Sequence, residues 1–124
     1  MLTIQIGENT HPLSAKLIVA KRIETAFQTP LGTLFGRLNN AQLDELIKIV
    51  CISADKLNDK EFTTTIYEHC DFSDLLFAVQ EIIAHVLFSG TPEAIEAKLA
   101  KYPAGETEKN GLRALLGLPI PSAC

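Results

Sequence analysis

Two groupings in the chain combine residue types that bind metals or move protons. His69, Cys70 and Asp71 follow one another directly. Ligands on a helix converge at spacings of three or four, and three neighbours in a row point apart. The plainer reading is a helix end carrying a histidine that suits the dipole. Glu81 and His85 stand four residues apart in a long apolar run. That is the spacing of a metal pair or an acid–base pair, and equally of an ordinary surface pair. No second histidine or carboxylate motif completes the set, and a catalytic zinc uses three protein ligands. Ser14, Ser53, Ser73 and Ser89 lack the context of a nucleophile elbow. Gly32 and Gly36, in LGTLFGRL, lack the further glycines and the lysine of a phosphate loop. They suit a close approach of two helices or an irregular turn. Cys51, Cys70 and Cys124 are odd in number and contain no CxxC, which argues against a disulfide framework or zinc ribbon and for a reducing compartment, with Cys51 and Cys70 as small core residues. The expectation is a protein that is not an enzyme, with no catalytic residue, metal or cofactor.

Two features suit binding instead. On the long helix, Asp74, Phe77, Glu81, His85 and Phe88 fall roughly on one line. If Leu75, Val79 and Ile82 face the core, Phe77 and Phe88 sit on its margin, either as a partner-binding strip or as a second layer of core under the last helix. The other is the tail, where Leu112, Leu115, Leu116, Leu118 and Ile120 fall within nine residues behind a charged stretch. Such a segment docks on a partner or packs back on its own domain. The candidate partner-binding residues are therefore Phe77, Glu81, His85, Phe88, Leu112, Leu115 and Leu116.

The elements that must position these residues fit one domain of 124 residues, 47% apolar and without tryptophan. A formal charge of −4, with only Lys16, Lys21 and Arg22 near one another before Glu24 intervenes, argues against nucleic acid as a partner. The start of the chain lacks the apolar run of a signal peptide. The longest apolar stretch, Leu75 to Phe88, is short of a membrane span and carries Gln80, Glu81 and His85. A cytoplasmic location follows as an expectation.

Leu2, Ile4 and Ile6 alternate with polar residues, Gly7 to Thr10 are turn formers, and Leu13, Ala15 and Leu17 alternate again. This predicts an antiparallel hairpin over residues 2–17, with an edge free to pair with a second copy. Residues 18–103 read as about five helices. Ile18, Val19, Ala20, Ile23, Ala26 and Phe27 face one way as far as Pro30, and a short segment spans Leu31 to Leu38. Leu43, Leu46, Ile47 and Val50 form the next face, with Asn39 or Asn40 as cap. Asn58 suggests a start for the helix of Phe62, Ile66 and Cys70. Asp71 or Ser73 opens the longest helix, apolar almost all round and so expected to be the central one. Thr91, Pro92 and Glu93 start the last, which Pro103 closes. Residues 104–124 read as a polar linker followed by an apolar tail. The fold class is α+β, a hairpin leading into a mostly helical bundle.

The run LSAKLIVAKRIETAFQTPLGTLFGRLNNAQLDELIKIV, preceded by the hairpin LTIQIGENTHPLSAKL, resembles the small tail assembly chaperones of long-tailed phages, in the branch found in gene transfer agents and related prophages. The match is in element order over about residues 2–100. It includes the pair Ile23–Glu24 with Phe27, the Gly–Leu turn in Leu31 to Leu38, and the amphipathic helix Leu43 to Val50. The resemblance implies a chaperone that coats the tape-measure protein and helps recruit tail tube subunits, with no catalytic residues to carry over. A small adaptor or regulatory domain, antitoxin-like or anti-sigma-like, is the alternative. An enzyme built on Glu81 and His85 is a third reading and would need a pocket with more converging polar groups.

Overall fold

The computed structural model describes residues 2–36 and 40–120. Strands β1 (Thr3–Ile6) and β2 (Asn9–Pro12) are followed by helices α1 (Leu17–Phe27), α2 (Leu31–Gly36), α3 (Leu43–Ser53), α4 (Lys60–His69), α5 (Phe72–Leu87), α6 (Pro92–Lys101) and α7 (Glu106–Leu116). The α+β architecture is as expected, but the described residues hold seven helices rather than about five. Asn39, offered above as a cap, and Cys124 lie outside the described residues.

The hairpin is tighter than its alternation suggested. Gly7 and Glu8 alone form the turn, Ile6 pairs with Asn9, and Thr3 with Pro12. The second strand is therefore 9–12, not 13–17. Gly7 has φ +63°, the positive value that the first residue of a two-residue II′ turn requires. A Cβ added there would also lie 3.3 Å from Cγ of His69 at the end of α4. Gly7→Ala is therefore expected to cost about 1–2 kcal/mol from the left-handed backbone alone. Chemical denaturation should show a lower midpoint with an unchanged slope.

After Leu13 the chain leaves the sheet because it is tied elsewhere. The N–H of Ser14 donates to the carbonyl of Ser53 at 2.9 Å, and the buried Ser53 hydroxyl donates to the carbonyl of Ser14 at 2.7 Å. This reciprocal pair pins the hairpin exit to the end of α3.

The main core gathers Ile4 and Ile6 from β1, Leu13, Val19 and Ile23 from α1, Leu34 from α2, most of α3, Phe62 and Ile66 from α4, and Leu75, Val79 and Ile82 from α5. Helix α3, which reads as one-faced, is the more enclosed: Leu46, Ile47 and every residue from Ile49 to Ser53 are buried. Helix α5, expected to be the central one, is buried along one side and leaves Phe77 and Leu87 exposed. Enclosure follows from neighbours. Helix α3 packs against α1, α4 and α5, so even its small side chains lose contact with water. His11 adds an edge-on ring contact to Phe62, with centroids 5.0 Å apart.

Local chemistry sets the helix ends. The Glu45 carboxylate accepts from the N–H of Gln42, and Gln42, not Asn40, is the cap of α3. Asp59, not Asn58, caps α4 by accepting from the N–H of Phe62 at 3.0 Å. Asn58 instead takes a positive φ of 68° in the loop before it. Thr91 caps α6 with Pro92 behind it, as the sequence indicates. Glu24 bridges two helices, its carboxylate accepting the N–H of Leu31 at the start of α2. An added Cβ at Gly32 or Gly36 would meet nothing within 4 Å, so this glycine pair mediates no close helix approach.

Helices α6 and α7 enclose a second, smaller core. Phe88, Ile95, Leu99 and Leu118 are buried there, with Tyr102, Leu112 and Leu116 against them. The stretch 105–111, read as a linker, is the N-cap Gly105 and the first half of α7. Its polarity misleads because Glu106 and Glu108 occupy the first turn, where the dipole favours acids, and the apolar side begins only at Leu112. Gly117 stops the helix in the left-handed conformation, and the N–H of Leu118 reaches back to the carbonyl of Arg113 at 2.8 Å.

Candidate functional site

The line of residues chosen on α5 does not stay together. The helix ends at Leu87, and Phe88 is its extended C-cap, with φ −135°. Released from the helical spacing, Phe88 is 5% exposed in the second core, edge-on to Tyr102 at 5.3 Å between centroids. For Phe88 the core account holds. Phe77 does the opposite and stands 59% exposed.

Glu81 and His85 form no side-chain pair. The His85 Nδ1–H donates to the backbone carbonyl of Glu81 at 2.8 Å. This bond within the helix sets the ring tautomer and orientation. His85 also borders an open groove of about 490 Å³ between the hairpin exit and the end of α5, with Leu2, Leu13, Lys16, Leu17 and Ser89 among its walls. Glu81 is not in that wall, so the groove does not join the two candidates into an acid–base site.

His69, Cys70 and Asp71 also separate by function. His69 ends α4 beneath Gly7, and Cys70 is the extended C-cap of α4. Asp71 caps α5: its carboxylate accepts the N–H of Asp74 at 2.8 Å and the Ser73 hydroxyl at 2.8 Å, while Asp74 returns a bond to the N–H of Asp71 at 3.0 Å. Among the described residues no three His, Cys, Asp or Glu side chains are grouped to hold a metal. Burial raises the thiol pKa of both Cys51 and Cys70 above the usual value. The thiolate is the nucleophile, so neither is tuned for reactivity.

The bonds from the Asp74 backbone and the Ser73 hydroxyl hold the Asp71 carboxyl below the usual aspartate range. A depressed folded-state pKa adds stability that is fully present above the unfolded value of about 3.9 and is lost as pH falls through the folded value. Acid titration of the melting temperature should therefore show wild type exceeding Asp71→Ala at neutral pH. The two curves should converge once the pH is well below about 4.

The tail leucines are positioned by α7, which packs on α5. Leu112 and Leu116 pack against the second core, while Leu112 and Leu115 also line an open groove of about 460 Å³ opposite Gln80, Ile83 and Ala84 of α5. Phe77 precedes Gln80 by three residues and Ala84 by seven, so it shares their face of α5. Three of the candidates, Phe77, Leu112 and Leu115, thus belong to one side of the molecule.

Arg113 escaped the sequence reading. It is buried to 9% exposure between α6 and α7. Its Nε donates to Glu96 at 3.0 Å, its Nη2 to Glu96 at 3.1 Å, and its Nη1 to Asn110 at 2.7 Å. The bidentate geometry fixes α7 against α6, and with it the leucines of the groove. The only hint in the sequence is an arginine inside a leucine-rich stretch.

Among the described residues, no single helix is long and apolar enough to cross a membrane. Comparison with protein-family models, with curated proteins and with solved structures finds no match.

Proposed function

We propose that this chain is a protein-binding module of the tail assembly chaperone kind, which covers an apolar helical segment of a tape-measure protein and helps bring tail tube subunits to it. The observation that carries the reading is the α5–α7 side: an open groove walled by Ile83, Ala84, Leu112 and Leu115, with the exposed ring of Phe77 on the same face of α5. An amphipathic helix laid in such a groove buries its apolar face through anchors at spacings of three and four. The polar wall residues Gln80 and Glu108 keep the surface partly polar, which suits a partner that must later be released. The order of hairpin and helices that carries the resemblance supplies the phage context. A small adaptor domain is the alternative, and it would use the same surface.

Co-expression tests the proposal. A tape-measure segment that is insoluble alone should become soluble with this chain, and less so with Phe77→Ser. Because Phe77 is exposed, that variant should unfold within about 0.5 kcal/mol of wild type. A tape-measure segment that stays insoluble with the wild-type chain would remove the chaperone reading.

A further inference from the structure

A third trough, which shares no lining residue with the two grooves above, has a different electrostatic character. It lies between α1 and the loop that leaves α3, holds about 410 Å³, and is floored by Ala26, Ile52 and Leu57 with Lys21, Arg22 and Asp55 at its rim. Two features bear on what it could bind. First, its far wall is held by backbone hydrogen bonds. The carbonyl of Cys51 accepts the N–H of Lys56 at 2.8 Å and that of Ile52 accepts the N–H of Asp55 at 3.2 Å, with Asp55 at φ +57°. This is a Schellman termination. It is followed by Leu57, held 47% exposed. Second, the rim is basic although the chain carries −4 overall. Lys21 and Arg22 line it. The one acid at the rim neutralises little: Asp55 reaches Arg22 only at 3.9 Å, with both side chains well exposed, a pair of small energetic weight. Glu24, the nearest acid on α1, has its carboxylate engaged by the N–H of Leu31.

We propose that this trough docks an acidic amphipathic helix of a partner protein. Leucine-type side chains enter between Ala26, Ile52 and Leu57, and flanking glutamates or aspartates face Lys21 and Arg22. The apolar floor supplies affinity, while the cations select against basic partners and speed encounter. The site stands apart from the α5–α7 groove, so either can fail without the other.

The test is a titration of the full-length protein, followed by amide NMR shifts, with two peptides of about 16 residues, long enough to hold a helix. Both carry leucines at spacings of three and four. One carries glutamates between them and the other carries lysines. The proposal expects the acidic peptide to shift the amides of Lys21–Ala26 and Ile52–Leu57. It should bind at least about tenfold more tightly than the basic one and weaken as salt screens the exposed charges. Lys21→Glu and Leu57→Ser, both at exposed positions, should each reduce that affinity about tenfold, while Phe77→Ser leaves it unchanged. Equal binding of the two peptides would overturn the proposal. So would shifts confined to α5 and α7, or the same amides already engaged by self-association of the free protein.

Discussion

Replacing Leu46 by alanine is expected to lower the unfolding free energy by about 3 kcal/mol, the central value for a leucine with no room to relax. Leu46 is fully buried in α3, the helix that α1, α4 and α5 pack around. The core residues around it that would have to collapse into the void, among them Ile23 of α1, Ile66 of α4, and Val79 and Ile82 of α5, are held by three different helices. The cavity therefore persists, and its surface adds to the lost transfer energy. A domain of this size commands only about 5–15 kcal/mol in all, so one substitution removes a large share. Urea unfolding followed by circular dichroism measures it. A loss under about 1 kcal/mol would mean that α3 is not the centre of the fold.

Leu99→Ala should behave differently, although Leu99 is equally buried. It belongs to the small core of Phe88, Ile95, Leu99 and Leu118. That core contains no residue of the hairpin or of α1 to α4, and α7 connects it to the rest through α5. A deletion worth about 3 kcal/mol falls on a unit with little burial to spare. Amide hydrogen exchange should become fast throughout α6 and α7 while α3 keeps its protection. An even loss of protection across the chain would show that the two cores unfold as one.

These two substitutions also show which features of the fold the sequence makes legible. Periodicity located the centres of the buried faces, such as Val19 and Ile23 in α1, Phe62 and Ile66 in α4, and Ile95 and Leu99 in α6, because one-sided burial writes itself into spacing. Their margins it misplaced: Ile18 and Leu43, expected on the buried faces of α1 and α3, are exposed. It could not rank the helices by enclosure. Helix α3 looks one-faced yet is the more enclosed, and even its Lys48 sets Nζ over the Phe27 ring, 5.2 Å from the centroid, while α5 looks buried all round and exposes Phe77. Packing partners decide enclosure, and spacing carries no information about partners. The second strand was misplaced for a related reason. The alternation of Leu13, Ala15 and Leu17 is real, but the two-residue turn at Gly7 and the Ser14–Ser53 pair take those residues out of the sheet.

Helix α7 was hidden by its own solvent-facing first turns, and Arg113, which fixes it to Glu96, had no spacing signal at all. Of the candidate site, Phe77 was legible as an apolar residue on a helical face, and Leu112 and Leu115 only as leucines of a tail. That they share a side depended on α7 folding back, which no local pattern encodes. Phe88 meets the second of its two expectations, a second layer of core, because the helix stops one residue before it and turns it inward. The basic trough beside α1 went unread because Leu57 and Ile52 are remote from Lys21 and Arg22 in sequence and meet only through the Schellman turn.

The most direct test of the central claim is an affinity pull-down of the tagged chain from host cells after prophage induction, with wild type and Phe77→Ser side by side and mass spectrometry as the readout. Wild type is expected to recover a very long, helix-rich tail protein, together with the tube subunit, and Phe77→Ser much less of both. Recovery of host proteins alone by the wild-type chain would contradict it and put the adaptor reading in its place.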